Sequence, residues 1–223
     1  MLERAGLVKA KDLYAWWFEN THVLEDLAPR INKLAERFRV SIRTLEKKNL
    51  LAELERCRAI YNDAWQDSWQ SVPFSTAEFN DLGESLKHVS RPELTLIAEV
   101  DGEPVGIVML IPDLNEAIAP LNGRLTNWGL PINLARLIWR LPRVKTARLA
   151  VLGVQSGFRR RGVAELLILN VMRNALRGGL ENAELSWTLE DNTLVNQLIA
   201  RAGGELYKTY RIFERPIRGR NPR

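Results

Sequence analysis

An α/β fold built on a mixed sheet is what this sequence predicts, and three observations predict it. Short apolar runs alternate with longer stretches whose apolar residues recur at helical spacing. Asp101-Gly102 joins two such runs, residues 94–100 and 104–111, as a tight antiparallel hairpin. Residues 151–154 lead through a basic, glycine-containing turn straight into an apolar-periodic helix, the start of a strand–helix–strand unit.

The elements follow in order. Residues 25–38 place Leu27, Ile31, Leu34 and Phe38 on one helical face. Residues 39–45 alternate (Val40, Ile42) and read as a strand. Residues 49–69 form a long helical pattern through Leu50, Leu54, Ile60, Tyr61 and Ala64. Residues 75–89 form another, opened by Ser75 or Thr76 with Glu78 close behind. The hairpin follows, then an insertion over 112–146 that is long for a link between strands. It holds Trp128, Pro131 and a helical pattern to Trp139. Leu134, Leu137, Ile138 and Leu141 are its apolar positions, and Arg136, Arg140 and Arg143 lie opposite. Residues 147–154 read as a strand, and the helix after the basic turn carries Val163, Leu166, Leu167, Asn170 and Val171 on one side. A strand and turn over 183–192, a helix over 193–202 stopped by Gly203-Gly204, and a strand over 205–214 complete the order.

Composition narrows the function. The 223 residues, 46% of them hydrophobic, suffice for a sizeable core in one domain plus an appendage. No apolar run reaches membrane-spanning length and no signal-peptide pattern stands at the start, so a cytoplasmic location is expected. The single cysteine, Cys57, sits in a helical pattern and reads as a buried structural thiol. His22 and His88 lack metal-ligand spacing, and no metal is expected. A net charge of +5 suits an anionic ligand. Nothing resembles a helix-turn-helix or stacking motif, so nucleic acid is not an expected partner.

The basic turn is the most chemical part of the chain. Successive backbone N–H groups in a strand-to-helix turn, the unpaired donors of the first helical turn, and Arg159, Arg160 and Arg161 converge on one kind of guest, a phosphate or pyrophosphate. No glycine run ends in Lys-Ser/Thr, and no G-x-G-x-x-G is present, which excludes the common nucleoside triphosphate and dinucleotide loops.

Arg159-x-x-Gly162-x-Ala164, behind a strand ending at Val154 and with Phe158 alongside, resembles the acetyl-CoA loop of the GNAT superfamily of N-acyltransferases. Ser156 stands where that family often has Pro, and Arg160 where it often has Gly; Arg160 fits such a turn easily only with negative φ. The Asn192–helix–Gly203-Gly204–strand unit is similar to the family's second half. The resemblance implies a GNAT-type fold, a mixed and mostly antiparallel sheet flanked by helices, with a helical insertion before the cofactor-loop strand. It implies acetyl-CoA as acyl donor, held by Leu152, Gly153, Val154, Arg159, Arg160, Arg161, Gly162, Val163, Ala164, Asn192 and Asn196. Transfer to a primary amine of a small molecule by direct attack is the implied reaction.

Such chemistry needs a proton donor for the leaving thiolate and an acceptor for the amine proton. The family's usual Tyr position falls on Ile199, so Tyr207 and Tyr210 on the next strand are the candidate acids. Glu190 is the candidate base, at the end of a polar line shared with Glu184, Ser186 and Thr188. Tyr61, Trp65, Asp67 and Trp69 are the candidate acceptor pocket, with Asp63 an alternative to Asp67; Tyr61, Trp65 and Trp69 at i, i+4, i+8 equally suit a buried stripe. The insertion is expected to pack on the sheet or act as a lid, and a membrane is not an expected partner. A CoA-binding or degenerate acyltransferase-like module with a structural or regulatory role is the alternative function, motivated by Ile199 and by an internal echo at the chain start.

Three segments are expected: 1–37 as an appendage, 38–215 as the acyltransferase domain, and 216–223 as a basic tail. A shift of 197 residues aligns Leu2, Arg4, Ala5, Gly6 and Lys11 with Ile199, Arg201, Ala202, Gly203 and Lys208. The echo marks residues 1–19 as resembling the tail of a second acyltransferase-like module, with pairing in a homodimer left open.

Overall fold

A computed structural model describes residues 2–19, 24–86, 90–126 and 130–215. His22, His88, Trp128 and the expected tail 216–223 lie outside them. In chain order the elements are β1 (Val8–Glu19), α1 (Leu24–Phe38), β2 (Val40–Thr44), α2 (Leu50–Trp65), α3 (Thr76–Leu86), β3 (Thr95–Val100), β4 (Glu103–Pro112), α4 (Leu114–Ile118), α5 (Ile132–Arg140), β5 (Thr146–Val154), α6 (Val163–Arg177), β6 (Asn182–Leu189), α7 (Thr193–Arg201) and β7 (Glu205–Glu214). They divide into two compact units, one of residues 20–183 and one of residues 1–19 with 184–223.

The larger unit is organised by four strands in the order β2-β3-β4-β5, each pair antiparallel. Alternation along the strands sorts their side chains into two cores. Leu96, Ala98, Val108 and Leu110 join Val163, Leu166 and Leu167 of α6 and Ile31 of α1 in one cluster. Ile97 and Ile107 turn the other way, to Leu54, Cys57 and Ile60 of α2 and Phe79 of α3. The sheet is therefore covered on both faces. Nine of the fifteen residues of α6 are buried, because this helix lies between the strands and α1.

Two helices depart from the expected boundaries. α2 stops at Trp65 instead of running to residue 69. Ser68 N–H bonds to the Trp65 carbonyl, Ser71 N–H to the Ser68 carbonyl, and Gln70 takes φ +55°. These turns carry Trp69 off the helix, so the i, i+4, i+8 stripe does not form. In the insertion, α5 packs its apolar stripe only in part: Leu137 is half-buried, Leu134 and Ile138 are exposed, and Asn133 is its buried residue, tied by Nδ2 to the Arg124 carbonyl at 2.8 Å.

The smaller unit has strand order β6-β1-β7, which places the first strand of the sequence between the last two. β1 and β7 are antiparallel with Leu13 opposite Tyr210. One extra residue interrupts each strand, Ala10 in β1 and Tyr207 in β7. The 197-residue shift relates Ala10 to Tyr207 and Leu13 to Tyr210, so the pair maps onto itself when its strands are exchanged. Gly6 and Gly203, related by the same shift, both hold left-handed φ (+80° and +97°) just before their strands. Arg211 joins Asp12 through two hydrogen bonds (2.8 and 3.0 Å), and Lys9 reaches Asp12 at 2.9 Å.

Candidate active site

The basic turn is an open, pinned loop. Ser156, Gly157, Arg159, Arg160 and Arg161 are exposed, and no described segment covers them. The last turn of α2 holds the loop in two places. Asp63 accepts from Ser156 N–H at 2.5 Å and from its Oγ at 3.2 Å, and the Ala64 carbonyl accepts from the Arg159 guanidinium at 2.8 Å. A guanidinium on a helix C-terminal carbonyl satisfies an otherwise unpaired acceptor and opposes the negative end of the dipole. Arg159, the motif arginine, is thus committed to the protein. Arg161 lies over the Phe158 ring at 5.2 Å.

Arg160 has φ +63°, contrary to the negative φ its side chain prefers. Gly162 has φ +71° and forms the N-cap of α6. A Cβ there would lie 2.5 Å from Phe38 Cε2, so both its φ and its neighbour require glycine. Its carbonyl receives Leu166 N–H, while Val163, Ala164 and Glu165 form the first helical turn, whose amides have no acceptor within the helix. Val163 itself is buried and anchors the turn in the core, and Ala164 is half-buried beside it.

Leu152, Gly153 and Val154 pair with Val108, Ile107 and Gly106 of β4. Leu152 and Val154 pack on the α6-side core. Gly153 lies under Trp65: a Cβ would meet Trp65 Cζ3 at 2.6 Å. Trp65 in turn stacks on Tyr61, with centroids 4.3 Å apart and planes at 15°, and Tyr61 meets Phe74 edge-on at 5.2 Å. Tyr61 and Trp65 therefore serve as a packed aromatic group beneath β5. Burial raises the Tyr61 hydroxyl above its ordinary pKa. Asp67 and Trp69 lie on the exposed turn beyond α2.

In the smaller unit Asn192 caps α7, its Oδ1 accepting from Val195 N–H at 3.4 Å. Asn196 is fully engaged: Nδ2 donates to the Leu189 carbonyl at 2.9 Å, and Oδ1 accepts from Thr188 Oγ1 at 2.6 Å. Thr188 also accepts from Trp16 Nε1 at 3.0 Å. Ile199 is 1% exposed and packs under Gly204. Glu190 pairs with Lys9 at 2.6 Å and accepts from Asp12 N–H at 3.0 Å. The Lys9 bond first, then the Asp12 amide, lowers its pKa, which weakens it as a base.

Tyr207 lies beside Trp17, with centroids 5.8 Å apart, and its hydroxyl receives Lys208 Nζ at 3.2 Å. Burial, then a hydrogen bond with Glu184, raises its pKa, so the phenol stays protonated at neutral pH. Glu184 is buried and accepts from Ser186 Oγ at 2.7 Å. The Glu184–Tyr207 pairing was not assigned from the sequence, where Glu190 had the better position on the strand. Tyr210 meets Trp187 edge-on at 6.0 Å.

A polar cleft lined by Arg43, Glu53, Arg56 and Glu99 stands apart from the loop. Its charges satisfy one another: Arg43 binds Glu53 through two nitrogens (2.6 and 3.0 Å) and Glu99 at 2.6 Å. Among the described residues, no group of three or more His, Cys, Asp or Glu is placed to hold a metal, and no helix is long and apolar enough to cross a membrane.

The "Acetyltransferase (GNAT) family" signature matches residues 54–203, from α2 through the basic loop to the glycine after α7. The chain belongs to the GNAT acetyltransferase family. Its members move an acyl group from an acyl-CoA donor to an amine. Protein YghO of Escherichia coli K12 is 37% identical over 97% of this chain and 56% of its own length. A bacterial ceramide synthase of Caulobacter vibrioides is 35% identical over 97% of this chain and 57% of its own. The chain thus spans a little over half the length of these relatives. A GCN5-related N-acetyltransferase of Sphaerobacter thermophilus shares the fold, with a TM-score of 0.61 at 15% identity over 95% of this chain and 53% of that one.

Proposed function

We propose that the chain is an acyl-CoA-dependent N-acyltransferase acting on a primary amine by direct attack. The exposed, pinned turn into α6 carries the reading. Its backbone amides from Arg161 to Glu165 suit the diphosphate of coenzyme A, with Arg160 and Arg161 adding charge and Arg159 holding the loop against α2. Gly162 fits this use because a side chain there would displace Phe38.

The donor supplies a thioester. A neutral amine attacks its carbonyl, the C–N bond forms, the C–S bond breaks, and one proton leaves the nitrogen as the sulfur takes one up. Tyr207 is the proposed acid because the usual acid position holds the buried Ile199 and the Tyr207 phenol, on the strand after α7, is protonated at neutral pH, although its raised pKa makes it a weaker proton donor. With Glu190 committed to Lys9, the amine proton passes to solvent in this reading. The Caulobacter relative's name, a ceramide synthase, supports an amine carried on a lipid and an acyl group longer than acetyl. Acetyl-CoA with a small amine is the other arm of the test.

The test is thiol release from acetyl-CoA and long-chain acyl-CoA against small amines and long-chain amino alcohols. Cys57 is buried and does not contribute to the thiol signal. Tyr207→Phe is expected to lower kcat about 10–100-fold with KM for the donor little changed. Absence of any affinity for coenzyme A overturns the assignment. A second reading, binding without turnover, is favoured by the buried Ile199 at the usual acid position; thermal stabilisation by acyl-CoA with no thiol release across the panel would establish it.

A further inference from the structure

The helix α5 buries only part of its apolar stripe. A surface helix ordinarily buries its apolar stripe and exposes its polar one. Here the buried residue is Asn133 and Leu137 is half-buried, while Leu134 (42% exposed), Ile138 (62%) and Trp139 (60%) face outward. Leu130, just before the helix, continues the same line at 60% exposed, and Leu125, bonded through its carbonyl to Leu134 N–H, adds a further 55%. Contiguous exposed apolar side chains of this size mark a contact surface.

The charge around them selects the partner. Arg136 and Arg140 lie on the other side of the helix, Arg136 donating to Asn133 Oδ1 at 3.4 Å, so the exposed cations available beside the apolar residues are Arg124 and Arg143. Arg143 lies over the Trp139 ring at 3.7 Å, which sets an aromatic body and a cation side by side. Residues 115–148 contain Arg124, Arg136, Arg140, Arg143, Lys145 and Arg148 against one acid, Glu116. Exposed leucine, isoleucine and tryptophan rimmed by arginine is the composition that lies in the headgroup layer of an anionic bilayer, the apolar side chains entering the acyl boundary and the guanidinium groups meeting phosphates. Nothing in α5 is long enough to span; it lies flat.

We infer that α5, with Leu130, docks the protein on the surface of an anionic membrane through Leu130, Leu134, Ile138 and Trp139. The sequence predicts this helix packed or acting as a lid, and the exposure of Leu134, Ile138 and Trp139 beside the buried Asn133 is what redirects it.

The test is co-sedimentation of the chain with vesicles of phosphatidylcholine alone and of phosphatidylcholine containing phosphatidylglycerol. Binding is read without turnover, so an inactive acyltransferase still reports on the helix. Binding to the anionic vesicles, weakened by raised salt and reduced about tenfold or more in Ile138→Glu/Trp139→Glu with unchanged Tm, is expected. A charge-only variant, Arg124→Gln/Arg143→Gln, is expected to lose the preference for phosphatidylglycerol. No binding to either vesicle overturns the inference. So does binding unchanged in both variants, and so does a dimer in solution that Ile138→Glu/Trp139→Glu dissociates, since a second copy then covers the face.

Discussion

Replacing Gly162 by Ala tests the loop at its tightest point. Two costs arise. The residue has φ +71°, where a side chain adds about 1–2 kcal/mol. The new Cβ would lie 2.5 and 2.7 Å from Phe38 Cε2 and Cδ2, well inside the roughly 3.5–4.0 Å of normal carbon contact. The half-buried ring must move about 1 Å, a strain of about 1–3 kcal/mol. Together these predict a loss of about 3 kcal/mol and a fall in Tm of about 6–12 °C for a chain of this size. Moving the N-cap also turns the first amides of α6, so affinity for coenzyme A should fall with the Tm. Thermal unfolding by circular dichroism and calorimetric titration with coenzyme A read the two effects. Phe38→Leu combined with Gly162→Ala separates the causes. The smaller side chain relieves the contact and leaves the φ, so a favourable coupling of about 1–2 kcal/mol is expected in the double-mutant cycle. Gly162→Ala with Tm within about 1 °C of wild type, or a cycle with no coupling, refutes the geometry.

Arg160→Gly works in the opposite direction. It removes the strain of φ +63° and should raise Tm by about 2–4 °C, while the lost charge lowers affinity for coenzyme A; equal or lower Tm contradicts the strained turn. Cys57 is 2% exposed and burial pushes its thiol up to about 12. A disulfide reagent at mildly alkaline pH should leave it untouched in the native protein and titrate it in urea, and rapid native labelling would show α2 is not packed as described. Asp12 is held well below the usual carboxylate range, first by its hydrogen bonds with Arg211 and then by Lys9. Its lowered folded pKa means the stabilisation is complete above about pH 5 and drains as pH falls through the carboxylate range. Urea midpoints of wild type and Asp12→Asn should therefore differ at neutral pH and draw together in acid, and a gap independent of pH rules the ion pair out as the cause.

The elements were legible because their signals are local. Helix period, the Asp101-Gly102 turn, the Gly203-Gly204 stop and the strand-to-helix turn at Gly162 each lie within a few residues, and each element formed close to where its pattern put it. The echo between residues 2–11 and 199–208 was also legible, and the structure expresses it as the self-matching β1–β7 pair. What the sequence could not supply is how the charges are used. Glu190 looks like a base at a strand end until β1 brings Lys9 to it from 181 residues away. Arg159 looks like a ligand group until α2 offers it the Ala64 carbonyl, 95 residues earlier. Asn196 looks free until Thr188 and Leu189 take both ends of its amide. For α5 the period predicts an apolar face, of which the structure half-buries Leu137 and exposes Leu134 and Ile138, because a 3.6-residue repeat fixes that a face is apolar and says nothing of which part is covered. In each case tertiary pairing, absent from any short window, decides the role. The motif arginine of the loop is the clearest instance: its side chain ties the turn to α2, and in the proposed reading the charge left for an anion is that of Arg160 and Arg161, of which Arg160 also carries the backbone strain.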